Sequence, residues 1–257
     1  MNARLAPVLD AAIGLIPIAL ILALWQTLTS FGMAPPALLP APAAVFGRLT
    51  EQLGSPIYLQ HAATTLWRLF AGFGIAVTVG VGLGIAAAAS RRSASLMMPL
   101  VRVLAPVPKV ALYPALILTL GFDDASKIAL VVADAVFPIL LATYQGMAMV
   151  EPKLAWVAQA VGVTRARCFL TVVLPAALPS VLTGCRVALV ISCIVVFLAE
   201  MITSTDGLGH LLVRAARNFQ TVDMFVPLIT ISLLGLTLNA GFNMVRRRLL
   251  IGFPEER

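Results

Sequence analysis

Charge is what this chain has least of. Only 11% of its 257 residues are Asp, Glu, Lys or Arg, against about 25% in a soluble domain. A soluble fold of this length has too much surface to cover with so few charges. The 60% hydrophobic fraction and a mean hydropathy of +1.00 exclude a disordered chain, which needs the opposite balance. Three cysteines are too few for a disulfide scaffold. Cys168, Cys185 and Cys193 also lack metal-ligand spacing and read as small apolar residues. There is no His-Glu-x-x-His and no Gly-x-Ser-x-Gly, so the common hydrolase signatures are missing. The nearest approach to a phosphate loop, Gly121 to Lys127, lacks its second glycine. Any ATP-driven function must therefore take its ATPase from another chain. No internal repeat is visible, which argues against an inverted-repeat secondary transporter within one chain.

What is present is apolar sequence in long runs. A spanning helix needs roughly 20 predominantly apolar residues. Six segments meet that length: about 11–29, 66–89, 96–120, 128–150, 181–203 and 225–245. The third is interrupted by Pro99, Pro106, Pro108 and Pro114. The chain thus reads as an all-α polytopic membrane protein of one domain, 1–257, with six transmembrane helices. The first run also resembles a signal peptide, with Ala41-Pro42-Ala43 as a small-residue cleavage site, but it is long, and Asp10 follows the single Arg4.

The net charge of +7 would suggest nucleic acid on a soluble protein. On a membrane protein it reflects the Lys and Arg excess of cytoplasmic loops. With the N-terminus inside, Arg4, Arg91, Arg92, Lys153, Arg165, Arg167, Arg246, Arg247, Arg248 and Arg257 fall inside, and only Arg48, Arg214 and Arg217 outside. Both termini are therefore expected in the cytoplasm, and no nucleic acid is expected as a partner. Outside lie the proline-rich stretch Phe31–Ala44, the Asp123-Asp124 turn and the Asp206-Gly207-Leu208-Gly209 turn. Leu211–Phe219 reads as a short helix dipping into the outer membrane face.

Within the spans, Gly80 and Gly84 form a GxxxG pair, the spacing that lets two helix backbones approach in lipid. Arg102, Lys109, Asp134, Arg186 and Glu200 fall inside apolar stretches. A charge there costs roughly 3 kcal/mol on insertion scales, so such residues face a bundle interior or a water-filled path. Arg102, Lys109, Asp134 and Glu200 are the candidates for pathway lining or gating. The alternative for Glu200 is a structural pair with a cation of the third span.

The loop between spans four and five, 151–180, is the most informative stretch. Pro152 suits the start of a short helix, Gly162 breaks it or admits a close neighbour, and Pro175 and Pro179 bracket the return to the membrane. A helix held outside the bilayer can dock into a partner's groove or rest on lipid headgroups.

At this loop the sequence resembles the membrane subunit of binding-protein-dependent ABC importers. That family carries Glu-Ala-Ala, three residues, Gly, then nine residues before Ile-x-Leu-Pro. Aligning Gly162 puts Ala158 on the second alanine, Val172 on the isoleucine and Leu174-Pro175 on the terminal pair; Trp156 and Val157 depart from the pattern. Leu39-Pro40-Ala41-Pro42, His61, Thr65-Leu66, Arg68, Gly72-Phe73, Pro106, Pro108-Lys109, Pro114, Gly121, Ala199-Glu200-Met201 and Gly207-Leu208-Gly209 resemble the branch importing nitrate, sulfonates and taurine. The resemblance implies a type I importer permease fold in the bacterial inner membrane and no catalytic site. It implies a second copy of the chain across a shared pathway, two ATP-binding subunits that hold ATP and Mg, and a periplasmic solute-binding protein. The chain itself would bind no cofactor or metal. Ala158, Gly162, Arg165, Arg167, Phe169, Leu174 and Pro175 would couple to the ATPase. The competing readings are an ATPase-independent secondary transporter or channel, and an intramembrane enzyme.

Overall fold

The computed structural model describes residues 6–33, 35, 37–251 and 253; Arg4 and Arg257 of the charge count lie outside them. All regular structure among the described residues is helical. The order is α1 (Ala6–Ser30), α2 (Pro42–Leu53), α3 (Pro56–Ala88), α4 (Arg91–Leu104), a single 3₁₀ turn (Lys109–Leu112) leading into α5 (Tyr113–Leu120), α6 (Asp124–Ala148), α7 (Pro152–Ala160) and α8 (Arg165–Cys168). A widened turn (Phe169–Val173) joins α8 to α9 (Leu174–Thr203), and α10 (Leu208–Arg217) and α11 (Thr221–Leu249) complete the chain.

Four helical stretches are long and apolar enough to cross a membrane: α3, α6, the continuous Arg165–Thr203 and α11. Counting α4 and α5 as one broken span gives five. Ile16–Ser30 of α1 is apolar but shorter.

Two segments depart from the sequence reading. The third run, 96–120, is not one helix: its two halves meet at 83°. Pro106 and Pro108 supply no amide hydrogen to continue the helix; Ala105 still has helical angles, and the chain is extended at Pro108, with φ −70° and ψ 100°. The loop 151–180 is much shorter than expected, because the helix of the fifth span already begins at Arg165. Pro175 falls in the first turn of α9, just past the widened turn, and Pro179 lies inside α9. A proline ring collides with the carbonyl four residues earlier in a regular helix, and a wider turn is one way to relieve that misfit.

The core is a three-helix contact of α3, α6 and α9. Glycine sets the approach. A Cβ on Gly72 would stand 2.6 Å from Val131 Cγ1, one on Gly80 2.9 Å from Ile139 Cβ, and one on Gly84 2.5 Å from Thr143 Cβ. These three lie on one face of α3 against α6. On the other side of α6, a Cβ on Gly146 would meet Ser180, and one on Gly184 of α9 would meet Ala142. Without a hydrophobic effect to drive helices together in lipid, such close backbone packing holds the bundle.

A second core lies where α2, the start of α3, α10 and the start of α11 meet, around Val45, Leu49, Tyr58, Leu208 and Val226. Leu211 and Leu212 pack onto it. The helix expected to dip into the membrane thus spends its apolar side covering the protein's own core.

Candidate functional site

The bundle has two unlike ends. At one end the first turns of α6, α10 and α11 meet the last turn of α9. Arg68, 12 residues into α3, sits among them, 2% exposed. Its guanidinium is used on every nitrogen. Nε donates to Asp124 Oδ1 at 2.7 Å, Nη1 to Glu200 Oε1 at 2.9 Å and to Ser204 Oγ at 3.3 Å, and Nη2 to Asp206. Only arginine has a rigid fork of five donors able to hold three carboxylates from separate elements. Glu200, 1% exposed, accepts further bonds from Thr65 Oγ1 at 2.9 Å and from the Gly209 amide at 3.1 Å.

The expected partner of Glu200 is therefore corrected. It pairs with Arg68 of α3, not with a cation of the third run. Arg102 is exposed on α4 and forms no ion pair among the described residues. Lys109 is buried at the bend between α4 and α5, where its Nζ lies 3.6 Å from Asp134 Oδ1 of α6 and 4.4 Å above the Phe137 ring. The structure thus joins Lys109 to Asp134 and keeps both apart from Glu200. Arg186 donates from Nε to Asn239 Oδ1 of α11 at 2.9 Å.

Arg68 also fastens a strap, residues 204–209, over the end of the bundle. The Gly207 amide donates to His61 Nδ1 at 3.0 Å, and the Leu208 amide to Thr65 Oγ1 at 2.9 Å. The rings of His61 and His210 stack with centroids 6.2 Å apart, and His210 Nδ1 donates to the Ser204 carbonyl at 2.6 Å. Gly207 has φ +93° and ψ 169°, a region open essentially to glycine alone, and a Cβ there would collide with the Glu200 carboxylate. Beside the strap, Lys127, 1% exposed, donates to the Phe122 carbonyl at 2.6 Å and holds the α5–α6 turn. Burial by itself raises the Asp206 carboxyl, but Arg68 and Ser204 outweigh it and hold the group below the usual carboxylate range.

Arg68 and Thr65 were within reach of sequence reasoning. Both stand at the start of the second apolar run, and three carboxylates cluster at the matching ends of two other runs. What the sequence did not contain was which carboxylate each would meet.

The opposite end carries a different device. It holds Arg91, Arg92, Lys153, Arg165, Arg167 and the Arg246 to Arg248 triplet. Here α7 projects with Trp156 and Val157 each 66% exposed, and Val161, just beyond it, 75% exposed. α7 ends in two bonds, Val163 amide to Ala158 carbonyl at 3.0 Å and Gly162 amide to Gln159 carbonyl at 3.0 Å. This is a Schellman cap, whose turning residue needs positive φ. Gly162 supplies it at +83°, with open space around its Cα. Ala158 is buried, Arg165 and Arg167 are exposed, and Phe169 and Leu174 are half-buried. Pro175 is exposed in the first turn of α9. Among the described residues, no three His, Cys, Asp or Glu side chains group as metal ligands.

Comparison with known proteins gives a consistent picture. Residues 80–250 match the family described as binding-protein-dependent transport system inner membrane component. The chain is 36% identical over 227 residues to the putative aliphatic sulfonates transport permease protein SsuC of Escherichia coli (strain K12), covering 88% of this chain and 86% of that one. It is 29% identical over 237 residues to the taurine transport system permease protein TauC of the same organism, covering 90% and 86%. In fold it is similar to a chain of the MetNI methionine ABC transporter in inward-facing conformations, with a TM-score of 0.66, 17% identity, and coverage of 75% of this chain and 96% of that one.

Proposed function

Since the chain belongs to the family of binding-protein-dependent transport system inner membrane components, in the branch that holds the SsuC and TauC permeases, we propose that it is the pathway-forming subunit of an ABC importer. Its cargo is a small organic anion of the sulfonate or taurine class, delivered by a periplasmic solute-binding protein. α1 completes six spans, and both ends of the chain face the cytoplasm of a bacterium. That orientation puts the basic end of the bundle inside, as the excess of Lys and Arg requires. The Arg68 knot and its strap then lie on the outer side.

The observation that carries this reading is the arm α7–Gly162–α8. It is a short helix at the inner end with an unburied apolar face, Trp156, Val157 and Val161. A face of this kind is stable when a partner's groove covers it. Two ATP-binding subunits, which hold ATP and Mg, are the partners proposed for the arms of two copies of this chain. Their closure on ATP favours one arrangement of the pair of permeases over the other, and hydrolysis reverses the preference. The chain itself contributes no chemistry. Lys109 at the α4–α5 bend and Asp134 of α6 are the proposed lining groups of the path.

The test is Gly162→Asp. The substitution forces a side chain into φ +83° and remodels the cap, while the packed spans are untouched. Membrane insertion is expected to persist, with loss of the ATPase from co-purification and at least tenfold slower uptake. Full uptake with a normal complement of ATPase would remove α7 from the coupling role.

A further inference from the structure

Among the described residues, three helices end in the same pair of bonds. Beyond α1, the Met33 amide reaches the Leu28 carbonyl and the Gly32 amide reaches Thr29. Beyond α7, Val163 and Gly162 do the same. Beyond α10, the Gln220 amide reaches the Ala215 carbonyl at 2.9 Å and the Phe219 amide reaches Ala216 at 3.1 Å. The first two caps turn on glycine, at φ +64° and +83°; the third turns on Phe219 at φ +56°. Among the described residues Phe219 is the one non-glycine residue with positive φ. A bulky side chain in that region is strained.

The fold does not use what the strain provides. Phe219 is 93% exposed, so its ring contributes almost nothing to the core beneath α10. The surroundings are basic. Arg214 and Arg217 are exposed on α10 and enter no ion pair among the described residues. Next to them opens a cavity of about 310 Å³, lined in part by His61, Arg214, Gln220 and the Arg48–Asp223 ion pair. His61 Nδ1 accepts the Gly207 amide, so in the neutral ring the proton lies on Nε2 as a second donor. The apolar side of α10, Leu208, Leu211 and Leu212, is already packed in the core with Val45 and Val226, which leaves no continuous apolar face to lie in lipid.

We propose that Phe219, flanked by Arg214 and Arg217 and by the cavity, is the anchor on which a soluble extracytoplasmic protein seats an apolar socket rimmed by carboxylates. An exposed aromatic between arginines has the composition of an interface hot spot. Resting on the importer reading, the occupant is the solute-binding protein. Its acidic rim meets the two arginines.

The experiment uses the assembled transporter in lipid nanodiscs and its solute-binding protein. Phe219→Gly is expected to leave the melting midpoint equal or higher, because the cap regains its preferred residue, while the affinity for the binding protein falls about tenfold or more. Arg214→Glu with Arg217→Glu should weaken binding and flatten its salt dependence. A photoreactive phenylalanine at 219 should cross-link to the binding protein. Unchanged affinity in Phe219→Gly, a lowered melting midpoint, or cross-links to lipid or a second copy alone would overturn the proposal. If the unaltered transporter binds no solute-binding protein, the importer reading fails with it; if it binds and Phe219→Gly binds equally, only the anchor fails.

Discussion

The two ends of the bundle solve opposite problems with the same few residue types. At the strap end, Arg68 holds three carboxylates from α6, α9 and the following turn, and glycine at 207 lets the backbone press onto a buried carboxylate. At the α7 end, Arg165 and Arg167 stay exposed and glycine at 162 turns the chain into open space, with nothing within 4 Å of its would-be Cβ. The first end joins distant helices through groups that are fully spoken for. The second leaves Trp156 and Val157 exposed beside Arg165 and Arg167. A knot that ties elements together makes one end rigid, and an arm held by its cap and by little more than the buried Ala158 can dock as a unit. The same pair of residue types, arginine and glycine, therefore tells little until burial is known.

The largest blow to this contrast is Arg68→Ala. It strands Glu200, at 1% exposure, without its cation, and breaking a buried pair from one side costs about 3–5 kcal/mol. The melting midpoint in detergent should fall steeply, and Arg68→Lys should recover only part of it, since an ammonium cannot span three carboxylates. Full recovery by lysine would mean that charge alone, without the fork, makes the knot.

Gly207→Ala comes next. The backbone region it occupies costs a side chain about 1–3 kcal/mol, and the added methyl displaces the Glu200 carboxylate. Faster amide exchange across residues 204–209, with the 151–164 arm unaffected, is the expected signature. If the arm loosens as well, the two ends are not independent.

The smallest effect is that of pH on the strap. Asp206 titrates below the usual carboxylate range, so its hold on Arg68 is complete above about pH 4, the ordinary value for this side chain. It fades only as pH falls through the lowered one. Exchange protection of the strap should thus persist into mild acid, and Asp206→Asn should show weaker protection without that acid limb. An acid limb of the same shape in Asp206→Asn would assign it to another carboxylate.

Much of the fold was legible in the chain. Long apolar runs locate α6, α11 and the end of α9 within a few residues of their observed positions, because length and composition alone select membrane helices; the helix of α9 begins well before the expected 181. The start of α3 was missed by ten residues. Its first turns carry Gln60, His61, Thr64 and Thr65, which look like a loop until α9 and α10 are seen to cover them. The bend after α4 was written in the prolines, but not its 83° angle. Of the intramembrane charges, the sequence marked Arg102, Lys109, Asp134, Arg186 and Glu200 as unusual, and only Lys109 and Glu200 of these are buried; the buried Arg68 and Lys127 were not among them. It could not pair them, since Arg68 and Glu200 lie 132 residues apart.

The sequence by itself determined that this is a helical membrane protein, that its glycines permit close packing, and that one end is basic. Those properties are sums over neighbouring residues: hydropathy, helix period and local charge. The tertiary structure alone decided that Arg68 rather than a third-run cation answers Glu200, that Lys109 answers Asp134, and that one cap of three turns on a strained phenylalanine. Each of these depends on where separate helices come to rest, and in the membrane that is set by close packing and by the need to satisfy every buried polar group.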